Sequence, residues 1–205
     1  MNVPRYRLGK RQQQAENTRA RILGAARDLL EQGRDGKFTI DVVAERAGVA
    51  RMTVFNQFGS LAGLLEAMFD DVAGPYMARH MPEVFRAPDP VAALRQFVTT
   101  FAGLWERSPA LYARLRGFAA FDSAIDASLR TREQRRVEAG REVLRRLWSG
   151  RLPPLWQSLD EAALALFALT SFPMWTALGG SDEPPEAVRD RLLRMVTRLF
   201  VPPAG

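Results

Sequence analysis

The sequence predicts an all-α protein, on three observations. Apolar residues recur at three- and four-residue intervals in segment after segment, Gly, Pro, Ser and Thr punctuate the gaps, and no run alternates apolar with polar residues as a half-buried strand would. With 205 residues, 47% of them hydrophobic, the chain can fill one large domain or a small one joined to a larger one.

Taken in order, Ile22, Ala25, Ala26, Leu29 and Leu30 share one helical face, and Gly33 is expected to stop that helix before a turn over Arg34 to Phe38. Thr39 is a suitable N-cap for a short helix from Ile40 to Ala47, with Asp41 complementing the helix dipole. Gly48 supplies the left-handed backbone that leaves it, and a third helix is expected from Arg51 to Gln57, before Gly59 and Ser60. Ser60 can cap a fourth helix bearing Leu64, Leu65, Met68, Phe69 and Val72, which Gly74 and Pro75 should kink or end.

Beyond a proline-rich break from Pro82 to Pro90, a helix from Asp89 to Arg107 carries Val91, Leu94, Phe97, Val98, Phe101 and Trp105, and Ser108-Pro109 opens a short one. A longer arginine-rich helix is expected from Ser123 to Trp148, closed by Gly150 to Pro154. An apolar helix from Leu159 to Leu178 and the loop Gly179 to Pro185 precede a last amphipathic helix with Val188, Leu192, Met195, Val196 and Leu199 on one face. The expected organisation is a basic arm over 1–17, a three-helix unit over 18–60 and a helical body over 61–205.

Charge distribution narrows the class. Residues 1–60 hold eleven basic and six acidic side chains, whereas the other 145 hold eighteen and seventeen, so nearly all of the net charge of +6 sits in the first third, as expected of a module facing a polyanion. Cysteine is absent and His80 is the single histidine, which argues against disulfides, thiolate or histidine metal sites and cysteine nucleophiles. No nucleophile with an adjacent base stands out, so an enzyme is not expected. No catalytic residue, metal site or bound cofactor is assigned. The basic start lacks an apolar h-region, and the longest uncharged stretch, Ala162 to Leu178, is broken by Thr170, Ser171 and Pro173; a cytoplasmic protein without a membrane partner is expected. Asp122 and Asp126 could share a helix face but read as solvated, and so does the basic run Arg130, Arg132, Arg135 and Arg136, diluted by Glu133 and Glu138.

A helix-turn-helix needs a small residue where its helices cross, a glycine at the turn and an apolar residue locking the second helix. Ala44, Gly48 and Val54 stand in those places, with Val43 and Val49 as added core contacts. That leaves Arg51, Met52, Thr53, Phe55, Asn56 and Gln57 to face outward from a helix that a DNA major groove can admit.

Thr18-Arg19, Ile22-Leu23, Ala25-Ala26, Thr39, Ala44-Glu45-Arg46-Ala47-Gly48-Val49, Thr53-Val54-Phe55 and Phe58 together resemble the N-terminal signature of the tetracycline-repressor (TetR) family. The resemblance implies an all-helical homodimer with an N-terminal DNA-binding helix-turn-helix domain and a C-terminal domain for effector binding and dimerisation. Its partners would be a palindromic double-stranded operator, a second copy and a small effector, and its outcome repression. By position, Arg51, Met52, Thr53 and Asn56 would face bases, and Thr39, Phe55, Gln57 and Ser60 phosphates. Arg51 is the preferred base reader, because a guanidinium binds guanine bidentately.

Three departures bear on the grip. Ala50 replaces a common capping Ser, Phe55 replaces a Tyr, and Leu61 replaces a phosphate-binding Lys, leaving Arg5, Arg7, Lys10 and Arg11 of the arm to compensate. A DNA binder without sequence readout, or a family-like dimer with weakened DNA binding, remains an alternative.

For the body, Phe97, Phe101, Trp105, Tyr112, Phe118, Phe121, Trp148, Phe167 and Trp175, with Thr100 and Thr170, are the candidates for lining a pocket for a hydrophobic or aromatic effector. Leu166, Leu169, Val188, Leu192, Met195 and Leu199 on the last two helices are the candidate dimer contacts, as in a four-helix bundle.

Overall fold

The computed structural model describes residues 5–31 and 38–202, with side chains from residue 12 onward. Among the described residues all regular secondary structure is helical, without strands. The expected stop at Gly33, the turn over 34–37 and the side chains of Arg5, Arg7, Lys10 and Arg11 lie outside the residues so described.

The chain divides into two compact units, residues 1–70 and 71–205. The first contains α1 (Arg5–Glu31), α2 (Ile40–Ala47), α3 (Arg51–Phe58) and the beginning of α4 (Leu61–Arg86). From Arg5 on, the segment expected as a basic arm is thus continuous with the first helix, and the boundary between units falls ten residues later than 60, inside α4. The core of this unit is built from the apolar face of α1 (Ile22, Leu23, Ala26, Leu30), with Phe38, Val43, Ala44, Val54, Leu64, Leu65 and Met68.

The second unit holds the rest of α4 with α5 (Pro90–Arg107), α6 (Pro109–Ala119), α7 (Ser123–Trp148), α8 (Leu159–Leu169), α9 (Phe172–Ala177) and α10 (Pro185–Phe200). Helix α7 packs on α5, α6 and α8, and α10 packs on α5. The starts follow local chemistry: the Asp89 carboxylate accepts from the Val91 and Ala92 N–H groups, that of Asp122 from Ala124 and Ile125, and the Ser158 hydroxyl from Glu161. Asp122 is thereby a cap, and Asp126 pairs with Arg130 at 2.8 Å, which gives both carboxylates structural roles.

Three elements differ from expectation. Helix α4 neither ends at Pro75 nor breaks at Pro82, but runs through both to Arg86. A proline removes one N–H and crowds one carbonyl, and burial of Ala73 and Val84 on either side holds the helix together. The apolar segment 159–178 is two helices, not one: Thr170 leaves α8 and the Ser171 hydroxyl caps α9 by accepting from the Met174 N–H, with Pro173 in the first turn. Arg136, read as part of a solvated basic face, is 7% exposed. It lies on the α7 stripe that continues through Gly140, Val143 and Leu144, all buried with it.

Candidate nucleic-acid interface and ligand pocket

In the first unit, Gly48 ends α2 at φ 63° and ψ 41°, a conformation that residues with a Cβ rarely adopt, and the Val49 N–H donates to the Ala44 carbonyl across the turn. Val43 and Val54 are fully buried and Ala44 nearly so, which fixes α3 against α2. The Thr39 hydroxyl accepts from the Val42 N–H at 3.3 Å, whereas Ala50, at the equivalent position of α3, makes no side-chain cap bond.

With Val54 inward, α3 turns Arg51, Met52, Phe55 and Asn56 outward, and Thr53 and Gln57 lie at the margin. Met52 and Phe55 are 59% and 50% exposed. Ser60 is exposed, and its hydroxyl accepts from the Gly63 N–H at 3.0 Å, so it caps α4. Arg51 Nε lies 3.4 Å from the Asp41 carboxylate, with both side chains largely exposed. Such a pair is worth about 0–1 kcal/mol and yields readily to a stronger acceptor.

The second layer of this surface escaped sequence reading. Arg21 of α1 donates to the carbonyls of Ala47 (3.1 Å) and Gly48 (3.3 Å), clamping the turn, and the Arg19 guanidinium sits 4.7 Å from the centre of the Phe58 ring. Gln57 donates to the Ala15 carbonyl at 3.5 Å. Part of the positive charge counted toward a polyanion therefore holds the unit together. Gly63 was missed as well: a Cβ there would lie 2.1 Å from the Phe58 carbonyl oxygen, so the α3–α4 junction closes only over glycine.

In the second unit the predicted aromatic set separates. Phe97, Phe101, Trp105 and Tyr112 form a chain of ring contacts, with centroids 4.9, 6.4 and 4.8 Å apart, that continues through Phe172 to Trp175. Phe172 is a member the sequence did not single out. Trp148 belongs to a different cluster, where it donates to the Phe200 carbonyl at 2.9 Å and stacks with that ring beside Trp156. Phe121 is 94% exposed and lines nothing, and Phe118 is half-buried.

Arg136 stands against the first cluster, its guanidinium carbon 4.2, 5.3 and 5.5 Å from the ring centres of Phe167, Phe101 and Trp105. Burial lowers its pKa to about 10, which leaves it charged at neutral pH. The Thr170 carbonyl, released by the α8–α9 break, accepts from Trp105 Nε1 at 2.9 Å and from Arg136 at 3.4 Å. A separate cavity of about 240 Å³ is lined by Tyr76, His80, Gln96, Thr99, Thr100, Gly103 and Arg189. Thr100 is the one residue this cavity shares with the candidates named from the sequence. Burial raises the Tyr76 phenol pKa, against the lowering effect of Arg107.

Burial separates the six expected dimer contacts. Leu166, Leu169, Val188 and Leu192 are covered within the chain itself, at 9% exposure or less, because α8 packs on α7 and α10 on α5. They are core residues. Met195 is half-buried and Leu199 is 38% exposed, and the outward leucine of α8 is Leu164, at 57%.

Two helices joined by a glycine turn, the second presenting polar and cationic side chains from a basic unit, define a helix-turn-helix DNA-binding domain, here continued by a helical body. Comparison with known proteins agrees. Residues 22–68 match the family profile described as bacterial regulatory proteins, tetR family, so the chain carries a tetR-family helix-turn-helix domain. No curated protein sequence matches the chain.

Among solved structures, the fold is similar to that of a TetR-like transcriptional regulator from Rhodococcus sp. RHA1 (19% identity, TM-score 0.65, 88% of this chain and 94% of the other). It is also similar to AibR in complex with isovaleryl coenzyme A and operator DNA (18% identity, TM-score 0.65, 90% and 98%). A third is FadR from Bacillus subtilis in complex with stearoyl-CoA (14% identity, TM-score 0.69, 86% and 96%). None of the described helices is long and apolar enough to cross a membrane.

Proposed function

We propose that this chain is a cytoplasmic, ligand-responsive and sequence-specific transcriptional repressor that binds a palindromic operator as a homodimer and carries out no catalysis. The observation that carries the reading is α3, held by buried Val54 while Arg51, Met52, Phe55 and Asn56 point away from the unit. A dimer would present two such helices to successive major-groove turns about 34–36 Å apart. Repression is the outcome the family resemblance implies. Exposed Leu164 and Leu199 are the apolar side chains left on α8 and α10 for a second copy.

A small apolar effector bound in the helical body would act through its different affinities for DNA-fitting and non-fitting states, so operator DNA must weaken effector binding by the same factor as effector weakens DNA binding. Support comes from the structurally similar AibR and FadR, one described with an acyl-coenzyme A and operator DNA, the other with an acyl-coenzyme A.

Selection of bound fragments from the source genome, followed by footprinting, tests the reading. Recovery of one inverted repeat protected on two major-groove turns is expected; uniform retention of fragments with a steep salt dependence would replace it with non-specific binding. On the recovered site, Arg51→Ala should weaken binding about 5- to 150-fold, equivalent to about 1–3 kcal/mol, and relax preference at one base pair in each half-site.

A weakened DNA grip is the second reading, favoured by the uncapped start of α3 at Ala50 and by Leu61 at the first position of α4. Leu61→Lys is expected to tighten operator binding and to steepen the slope of log K against log salt by about 0.9 for each new phosphate contact. An unchanged slope would mean that position 61 does not meet the backbone.

A further inference from the structure

We propose that Arg136 is the anion-recognising group of a buried site in the helical body, and that the ligand it takes is a small apolar carboxylate. The proposal rests on the reading above in one respect, that this body holds a ligand. Arg136 is 7% exposed, and its Nε has no hydrogen-bond partner among the described residues. Among the described residues its one hydrogen bond goes to the Thr170 carbonyl at 3.4 Å, and no carboxylate lies within ion-pair distance of it. The nearby acid, Glu133, is held by Arg116 at 3.2 Å. A buried guanidinium left this way is costly to the fold unless something completes it.

The surroundings say what would. Three aromatic rings wall the guanidinium at 4.2–5.5 Å, and Phe167, the half-buried one, reaches the surface. The same ring cluster extends to Trp175, whose Nε1–H is also buried without an acceptor among the described residues. A region short of acceptors and lined by rings suits a ligand with an acceptor-rich anionic end and an apolar body. A carboxylate takes the guanidinium edge bidentately, which satisfies Nε. The bond to Thr170 can be given up, because Trp105 already serves that carbonyl at 2.9 Å. Entry requires the Phe167 side chain to swing aside, and the bound ligand would then sit against the α8–α9 break.

The test is calorimetric titration of the full chain with two matched pairs, 3-phenylpropionate against 3-phenylpropionamide and octanoate against octanamide. At least one acid is expected to bind at least tenfold more tightly than its amide, and Arg136→Gln to abolish the difference. Equal binding of acid and amide, or binding of neither in either pair, overturns the proposal without any variant, so a failure of Arg136→Gln to fold does not protect it. Operator release is measured separately. An acid that binds through Arg136 but leaves DNA binding unaltered would overturn the ligand-responsive reading and keep this site, whereas release by a neutral ligand with no acid preference would do the reverse.

Discussion

Replacing Gly63 by Ala, a change of one methyl group, is expected to weaken DNA binding about 5- to 150-fold. The added carbon would stand 2.1 Å from the Phe58 carbonyl oxygen, well inside contact distance, and the obstacle is backbone, which has no rotamer to move aside. Relief requires α3 to withdraw from the start of α4, or the Ser60 cap to open; the Ser60 hydroxyl accepts from the Gly63 N–H itself. Overpacking of this kind costs about 1–3 kcal/mol, and 1.4 kcal/mol is a factor of ten. The effect should fall on the first unit alone, because Phe58, Ser60 and Gly63 all lie before residue 71. Fluorescence anisotropy on operator DNA and hydrogen exchange of the α3 amides check it. Wild-type affinity with unchanged exchange would mean that the junction has slack.

Where the local code and the packing agreed, the sequence was readable. Thr39, Gly48 and Asp89 carry their element boundaries in their own chemistry, and the Ala44, Gly48 and Val54 spacing was sufficient to place the crossing of α2 and α3. It failed where a neighbour distant in the chain decides. Pro75 and Pro82 are helix breakers in isolation, yet α4 runs through them on buried Ala73 and Val84. Arg136 carried a legible signal that was overruled by its charge: it stands four, seven and eight residues before Gly140, Val143 and Leu144, on the buried stripe of α7. The break at Thr170 was also signalled, by Ser171 and Pro173, but a continuous apolar run outweighed them. For the binding surface, the outward residues of α3 followed from Val54 pointing in. The supports Arg21 and Gly63 could not, since a carbonyl 26 residues away and a 2.1 Å approach exist only once the chain is folded. That Leu166, Leu169, Val188 and Leu192 lie in the core was not legible for a related reason, as an apolar helix face does not say whether its own chain or a second copy covers it.

In the second unit, Phe97 and Gly140 should form a compensating pair. Phe97 is fully buried, and a Cβ placed on Gly140 would lie 3.5 Å from the tip of its ring and 3.4 Å from a Leu166 methyl. Those are ordinary contacts, so Gly140→Ala should be neutral or stabilising, by up to about 1 kcal/mol, through the better helix propensity of alanine. Gly140→Leu has no room beyond its Cβ and should cost about 1–3 kcal/mol. Phe97→Ala should cost about 3–5 kcal/mol, because α5, α7 and α8 are packed together around it and close only partly over the hole. In the double variant the leucine at 140 grows into the space the ring has left, so the two losses should fall short of their sum by about 0.5–3 kcal/mol. Urea unfolding of the four proteins, followed by far-ultraviolet circular dichroism, reads this coupling. Strict additivity would show that position 140 and the Phe97 ring do not share one space, and that the approach of α7 to α5 is set by other residues.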